Sequence, residues 1–157
     1  MKNKILSVLA YSFSFLFLIK FSQGQSPNDC NKKLWDHVWE PSRLDVIVSC
    51  KTVTGTIVEK NADPDGDEHM LLKLDAGQDS LLRKKNYSKK NGNLVIEAIC
   101  VNKITRKSAK GYCKSYSNSI ALPKVGDHVQ VTGSYVVDSH NEWTEIHPIS
   151  TISILNK

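Results

Sequence analysis

Alternation of apolar and polar residues with a period of two is the feature that most constrains how this chain can fold. The clearest example is KTVTGTIVEK, 51–60, in which Val53, Gly55 and Ile57 alternate with threonines. Successive side chains of a β-strand point to opposite faces, so this spacing predicts a half-buried strand. A glycine inside a strand allows a sharp bend or a bulge, which is typical of a small barrel.

Four further segments carry strand signals and are separated by turn signals. They are HMLLKLD (69–75), LVIEAICV (94–101), DHVQVTGSYVVD (127–138) and WTEIHPISTISIL (143–155). The connection between the third and fourth segments is the longest, and glycine recurs inside the fourth. We therefore predict an all-β fold, a five-stranded Greek-key OB-like barrel, with another small barrel or a sandwich as the alternatives.

The first 24 residues differ in character from the rest of the chain. Lys2 and Lys4 precede an apolar run of about 15 residues, and Ser22 and Gly24 follow at the positions that a signal peptidase inspects. A membrane anchor is the alternative, but a spanning helix needs about 20 apolar residues. We predict a signal peptide over 1–24, an N-terminal arm over 25–49 and the barrel over 50–157, in a secreted or periplasmic protein with no membrane span after cleavage.

The length of 157 residues predicts one domain, and we expect a monomer. Cleavage of the signal peptide removes three lysines and no acid, which lowers the formal charge from +5 to +2. A charge this small does not by itself indicate a nucleic-acid partner.

All four cysteines lie after the signal peptide: Cys30, Cys50, Cys100 and Cys113. An even number of cysteines in an oxidising compartment, with no C-x-x-C pair, favours two disulfides over a metal cluster. Three connectivities are possible. We favour Cys30–Cys50 with Cys100–Cys113, because each of these closes a short loop.

The segment NEWTEIHP, 141–148, places Trp143, Glu145 and His147 on one face of the last strand. An acid and an imidazole at i and i+2 can share a metal ion or a water, but a metal site needs at least one more ligand. His69 is the first candidate. Glu97 is the next, because a carboxylate among apolar neighbours is costly to bury without a partner.

These residues support three interpretations. The first is a satisfied polar network that Trp143 covers. The second is a site for a divalent metal, with His69, His147 and Glu145 as ligands. The third is catalysis. For ligand binding in general, the predicted residues are Trp143, Glu97 and Glu145.

Three other patterns receive weaker interpretations. NADPDGDEHMLL resembles the start of a calcium loop, but Leu72 stands at the position that requires glutamate, and Asp-Gly is primarily a hairpin signal. The basic stretches around 83–90 and 103–114 fit solvated loops better than a nucleic-acid surface. Trp35 and Trp39 fit a clasp on the surface of the domain, with carbohydrate stacking as the alternative. NYS at Asn86 is a glycosylation acceptor only in a eukaryotic host.

Four segments, PSRLDVIVSCKTVTGTIV, DPDGDEHMLLKLD, LVIEAICV and VGDHVQVTGSYVVDSHNEWTEIHP, resemble small secreted β-barrel domains of bacteria and archaea. Their last hairpin commonly reads His-Gly-Trp-x-Glu-Ile-His-Pro. The resemblance extends from about Pro41 to Ile152, and it departs where Asn141 and Glu142 replace one glycine. It implies the fold and export rather than an activity.

The usual catalytic motifs are missing: there is no G-x-S-x-G, no H-E-x-x-H and no phosphate loop. We therefore predict a secreted or periplasmic binding or accessory module rather than an enzyme. Its partner is a small molecule, a polymer or a protein, with nucleic acid less favoured. The alternative is a metal-dependent hydrolase built from the dispersed His/Glu cluster.

Overall fold

A computed structural model describes residues 30–155, and the predicted signal peptide lies outside the described residues. The strands are β1 (Leu44–Ala62), β2 (Glu68–Leu74), β3 (Leu94–Ala98), β4 (His128–Asp138) and β5 (Thr144–Ile154). One α-helix, α1 (Lys84–Lys90), lies between β2 and β3. Short 3₁₀ turns occupy Lys32–His37, Pro41–Arg43, Asp79–Leu81 and Lys107–Ala109. In the described part of the chain, no helix is long and apolar enough to cross a membrane.

The five strands form one sheet that closes on itself in the order β1-β2-β3-β5-β4. The pairing of β3 with β5 is parallel, and the other pairings are antiparallel. The long strand β1 makes closure possible, because residues 44–56 pair with β4 and residues 55–62 pair with β2.

Two glycines inside strands sit where backbones approach too closely for a side chain. A Cβ built on Gly55 would collide with the carbonyl oxygen of Lys73, and one built on Gly133 would collide with that of Pro148. Gly55 lies where β1 exchanges β4 for β2 as its partner, and the register of β4 with β5 shifts around Gly133. The prediction that glycine marks a bend in the first strand therefore has a direct steric basis.

The alternating residues of the strands fill the interior of the sheet. Val53 and Ile57 of β1, with Met70 and Leu72 of β2, are buried in the main core. A second apolar cluster joins the N-terminal arm to the barrel, with Leu34 and other residues of the arm packed against Ile99 and Val136. The arm therefore covers one part of the barrel surface.

Both predicted disulfides are present, Cys30–Cys50 and Cys100–Cys113. The first ties the arm to β1, and the second closes a loop within the connection from β3 to β4. Each constrains a segment that has little regular structure of its own, and so reduces the entropy of the unfolded chain.

Two predicted boundaries are corrected. β1 begins at Leu44, so residues 44–49, which we assigned to the arm, belong to the first strand. Residues 84–90, which we assigned to a loop, form α1. The helix is held by Asn86, which is fully buried and exchanges hydrogen bonds with the backbone of Thr144 on β5. Glycosylation of this buried amide is incompatible with the fold.

Candidate functional site

The first residues of β5 belong to a buried group of acid and imidazole side chains. The Nδ1 atom of His147 lies 3.1 Å from Glu145 Oε1 and 3.1 Å from Glu97 Oε2. Glu145 is completely buried, and its second oxygen accepts a hydrogen bond of 2.8 Å from the indole nitrogen of Trp143. The structure thus brings together four residues that the sequence singled out: Glu97, Trp143, Glu145 and His147.

Asp67 completes this group, and the sequence analysis missed it. It lies in the turn before β2, where its Oδ2 is 3.8 Å from His147 Nε2 and its Oδ1 accepts a 2.9 Å hydrogen bond from the backbone of Cys100. The sequence predicts only a hairpin or the start of a calcium loop for this turn. The sequence signal that could have identified Asp67 is its position two residues before His69, because residues i and i+2 of an extended chain lie on the same face. We refer to Asp67, Glu97, Glu145 and His147 as the buried cluster.

His69 lies next to the buried cluster. It pairs with Glu97 in the register of β2 and β3. Its Nε2 accepts a 2.9 Å hydrogen bond from the ammonium of Lys90, and its Nδ1 is buried without a hydrogen-bond partner. Its ring centroid lies 6.4 Å from that of Trp143.

The geometry favours a different ligand set from the predicted one of His69, His147 and Glu145. Of the described residues, Asp67, Glu97 and His147 are the ones that bring three available ligand atoms within 4.8 Å of one another. Asp67, Cys100 and Cys113 form a second group of three, but the two sulfur atoms are bonded to each other in a disulfide and are not available as thiolate ligands. Glu145 contacts the Nδ1 atom of His147, as Glu97 does, and the contact of His69 is to Lys90.

Burial and neighbouring charges shift the protonation of the buried cluster. Burial lowers the pKa of His147, but the carboxylate of Glu97 and the hydrogen bond to Glu145 outweigh it and raise that pKa to about 9. Burial raises the pKa of Asp67 to about 6, and it raises the pKa of Glu97 well above its ordinary value. The cluster therefore favours states that carry protons, or another positive charge, over bare carboxylates.

A cleft of about 270 Å³ opens beside the buried cluster. Glu97 belongs to both, and His69 also lines the cleft. The turn between β1 and β2 contributes Asp63 and Asp65, and the turn between β4 and β5 contributes Asn141 and Trp143. The remaining walls come from the arm, the end of α1 and the connection from β3 to β4, through Trp39, Arg43, Lys90, Arg106 and neighbouring residues.

Three cations of the cleft lie over indole rings, and two of them are close to the ring. Lys90 Nζ is 4.1 Å from the ring centroid of Trp143, and the guanidinium carbon of Arg106 is 4.3 Å from that of Trp39. Within residues 30–155, neither cation has a carboxylate oxygen within 4.0 Å. The third cation, Arg43, lies 5.7 Å from the ring centroid of Trp39 and 3.7 Å from Asp138 Oδ2. The cleft thus holds two positive groups without a paired acid.

The two tryptophans of the arm have different positions. The indole nitrogen of Trp35 donates a 3.1 Å hydrogen bond to Ser134 on β4, and its ring packs against the second apolar cluster. This matches a clasp. Trp39 lines the cleft instead. Of the two basic stretches, the first supplies Lys90 to the cleft and the second supplies Arg106.

The chain matches no protein-family model and no curated protein.

Proposed function

We propose that this chain is an exported binding module with an OB-fold, whose ligand occupies the cleft between the β1–β2 and β4–β5 turns. The strand order, the long connection between β3 and β4 and the parallel pairing of β3 with β5 support this fold. OB-folds hold oligosaccharides and oligonucleotides over strands 2 and 3, between these same two turns. The signal peptide predicted over 1–24 and the two disulfides support export.

The proposal rests on one observation: two cations of the cleft lie close to indole rings and have no carboxylate partner. Lys90 and Arg106 offer charge to an anionic group, and Trp143 and Trp39 offer flat surfaces to a ring. Asp63, Asp65 and Asp138 line the same cleft. These acids repel a continuous phosphate backbone but accept hydrogen bonds from sugar hydroxyls, so we favour an acidic sugar over nucleic acid.

A second cleft, of about 400 Å³, provides the contrast. It is lined by Leu71, Lys73 and neighbouring residues of β1, β2 and the turn after α1, and it contains no aromatic side chain. Lys73 is therefore a matched control for Lys90, since both are lysines that line a cleft.

The test is titration calorimetry with three probes: a hyaluronan hexasaccharide, which carries one carboxylate for every two sugars, a maltohexaose and an oligothymidylate. We expect the acidic sugar to bind more tightly than the neutral sugar and the oligothymidylate. Lys90→Ala and Arg106→Ala should each weaken this binding by about tenfold, as expected for a lost charge-assisted contact. Lys73→Ala, in the second cleft, should leave it unchanged, and so should Lys103→Ala, an exposed lysine that lines neither cleft.

Equal losses in all four variants would assign the binding to unspecific charge and contradict the proposal. Tighter binding of the oligothymidylate would replace the acidic sugar with a single-stranded nucleic acid. Binding of the neutral sugar that resists Lys90→Ala and Arg106→Ala would remove the role of the two cations.

A metal-dependent hydrolase is the second candidate, and one observation favours it. Glu97 belongs both to the three-residue group of metal-ligating atoms and to the cleft wall. A metal held by Glu97 would therefore be placed beside a ligand in the cleft.

A further inference from the structure

The buried cluster has more negative than positive groups. Asp67, Glu97 and Glu145 are each at most 5% exposed and surround one imidazole, that of His147, which is 1% exposed. No lysine or arginine among residues 30–155 lies within 4.0 Å of these three carboxylates. One imidazolium offsets only one of three carboxylate charges. Uncompensated charge in a protein interior is costly, so the cluster needs either protons or a bound cation.

The hydrogen bonds of His147 leave one nitrogen available. The Nδ1 atom lies 3.1 Å from both Glu145 Oε1 and Glu97 Oε2. When Nδ1 donates its one hydrogen to Glu145, Nε2 carries the free lone pair and the carboxylate of Glu97 is left without that donor. That Nε2 atom is buried and has no hydrogen-bond partner. Histidines that bind metals commonly donate their other ring N–H to a carboxylate, which fixes the ring and increases the basicity of the ligand nitrogen. Glu145 occupies this position, and Trp143 in turn holds Glu145.

We propose that Asp67, Glu97 and His147 bind a divalent transition-metal ion, of which zinc is the probe of choice. The 3.8 Å between His147 Nε2 and Asp67 Oδ2 suits an ion about 2.0–2.2 Å from each atom. One imidazole and two carboxylates form a donor set for zinc or manganese rather than for a thiolate-preferring metal. Glu145 acts as a positioning residue for His147.

The proposed ion lies at the floor of the cleft, because Glu97 is shared between the two. Three protein ligands leave a coordination position for water or for an anionic group of a ligand, as in zinc sites that act on substrates. The metal site does not require that the cleft binds a sugar. Metal uptake and sugar binding are measured separately, so either can fail alone.

The test uses the oxidised mature protein, 25–157, freed of metal with a chelator that is then removed by dialysis. Titration calorimetry with Zn²⁺ should give one equivalent with a micromolar or tighter dissociation constant, with Mn²⁺ and Ca²⁺ as comparisons. Asp67→Asn and Glu97→Gln remove one charge each and keep the side-chain shape, so both should fold. Each should weaken Zn²⁺ binding by at least about tenfold.

Asp75→Asn is the matched control. Asp75 forms the surface pair with His128, at 2.9 Å, and its loss should leave uptake unchanged. Near-UV circular dichroism checks that each variant is folded. The proposal is overturned if the folded parent takes up no Zn²⁺, if Asp67→Asn and Glu97→Gln bind it as the parent does, or if Asp75→Asn alone loses it.

Glu145→Gln tests the positioning role. The lost carboxylate should weaken Zn²⁺ binding by about 10- to 100-fold without changing the stoichiometry. The visible spectrum of the protein loaded with Co²⁺ should shift as well, because the ligand strength of His147 changes. An unchanged spectrum and affinity would show that Glu145 has no influence on the ion.

Discussion

His147 and His128 each contact a carboxylate, but the two pairs lie near opposite ends of β4 and in different surroundings. His128 begins β4 and contacts Asp75 at 2.9 Å, with side chains 36% and 41% exposed. Near the other end of β4, His147 contacts Glu97 at 3.1 Å, with side chains 2% and 7% exposed. Solvent screens the charges of the exposed first pair, whereas the second pair is almost wholly enclosed by protein, where screening is weaker.

The carboxylates of the two pairs respond in opposite directions. Hydrogen bonds from Thr54 and His128 lower the pKa of Asp75, because they stabilise its charged form. Burial raises the pKa of Glu97, even though His147 is adjacent. The same residue types therefore form a surface ion pair at one end and a site that favours a bound cation at the other. Burial is the property that separates the two.

The largest expected effect is on stability. In metal-free protein, His147→Ala leaves buried carboxylates without their cation and should lower the free energy of unfolding by about 3–5 kcal/mol. His128→Ala should lower it by less than about 1 kcal/mol. Urea unfolding of both variants measures the difference. Similar losses at the two histidines would show that burial does not separate the pairs.

The second prediction concerns pH in the presence of a chelator. The pKa of His147 rises from 6.5 to about 9 on folding, so its contribution, about 3 kcal/mol, is complete below pH 6.5 and is lost as the pH rises through 9. The raised pKa of Asp67, about 6, acts in the same direction, because that contribution is lost as the pH rises through 6.

The free energy of unfolding should therefore fall between about pH 6 and pH 10. His147→Gln should flatten this fall, and His128→Gln should preserve it. Constant or rising stability of the parent over this range would contradict the protonation of His147 in the fold.

The third prediction compares two indole hydrogen bonds. Trp143 donates to the buried carboxylate of Glu145, whereas Trp35 donates to the hydroxyl of Ser134. Trp143→Phe should cost about 1–2 kcal/mol more than Trp35→Phe, because it leaves a buried carboxylate oxygen without a donor. Chemical denaturation of the two variants checks this. Equal costs would mean that the bond to Glu145 adds nothing specific.

The smallest expected effect is at the surface pair. Asp75→Asn should change the free energy of unfolding by less than about 1 kcal/mol at low salt. The change should disappear near 1 M salt, where the screening length is about 3 Å. Denaturation at two salt concentrations measures it. A large effect that persists at high salt would contradict the contrast between the two pairs.

Much of the barrel could be predicted because its signals are local. Alternation predicted that Val53 and Ile57 of β1 face the core, and short loop lengths favoured the observed disulfides. The helix α1 was missed because the bond that holds it, from Asn86 to Thr144, joins residues far apart in sequence. A helix of only seven residues is not stable in isolation, so its own sequence carries little signal for it.

The candidate site divides in the same way. The i, i+2 spacing on β5 placed Glu145 and His147 together, and burial cost pointed to Glu97. Asp67 depends on the path of the β1–β2 turn, and Lys90 and Arg106 depend on how α1 and the β3–β4 connection fold over the cleft. Contacts between residues that are far apart in the sequence produce no periodic pattern, so the sequence did not reveal these positions.

The most direct test of the buried cluster as a metal site is the indole N–H signals in a ¹⁵N spectrum during Zn²⁺ titration. The signal of Trp143 reports on Glu145 and hence on His147, and the signal of Trp35 is the internal control. We predict that the Trp143 signal shifts and saturates at one equivalent, that the Trp35 signal stays in place, and that Glu97→Gln reaches the same shift only with an excess of Zn²⁺. A Trp143 signal that does not move at saturating Zn²⁺ would contradict the metal site and leave the cluster as a polar network.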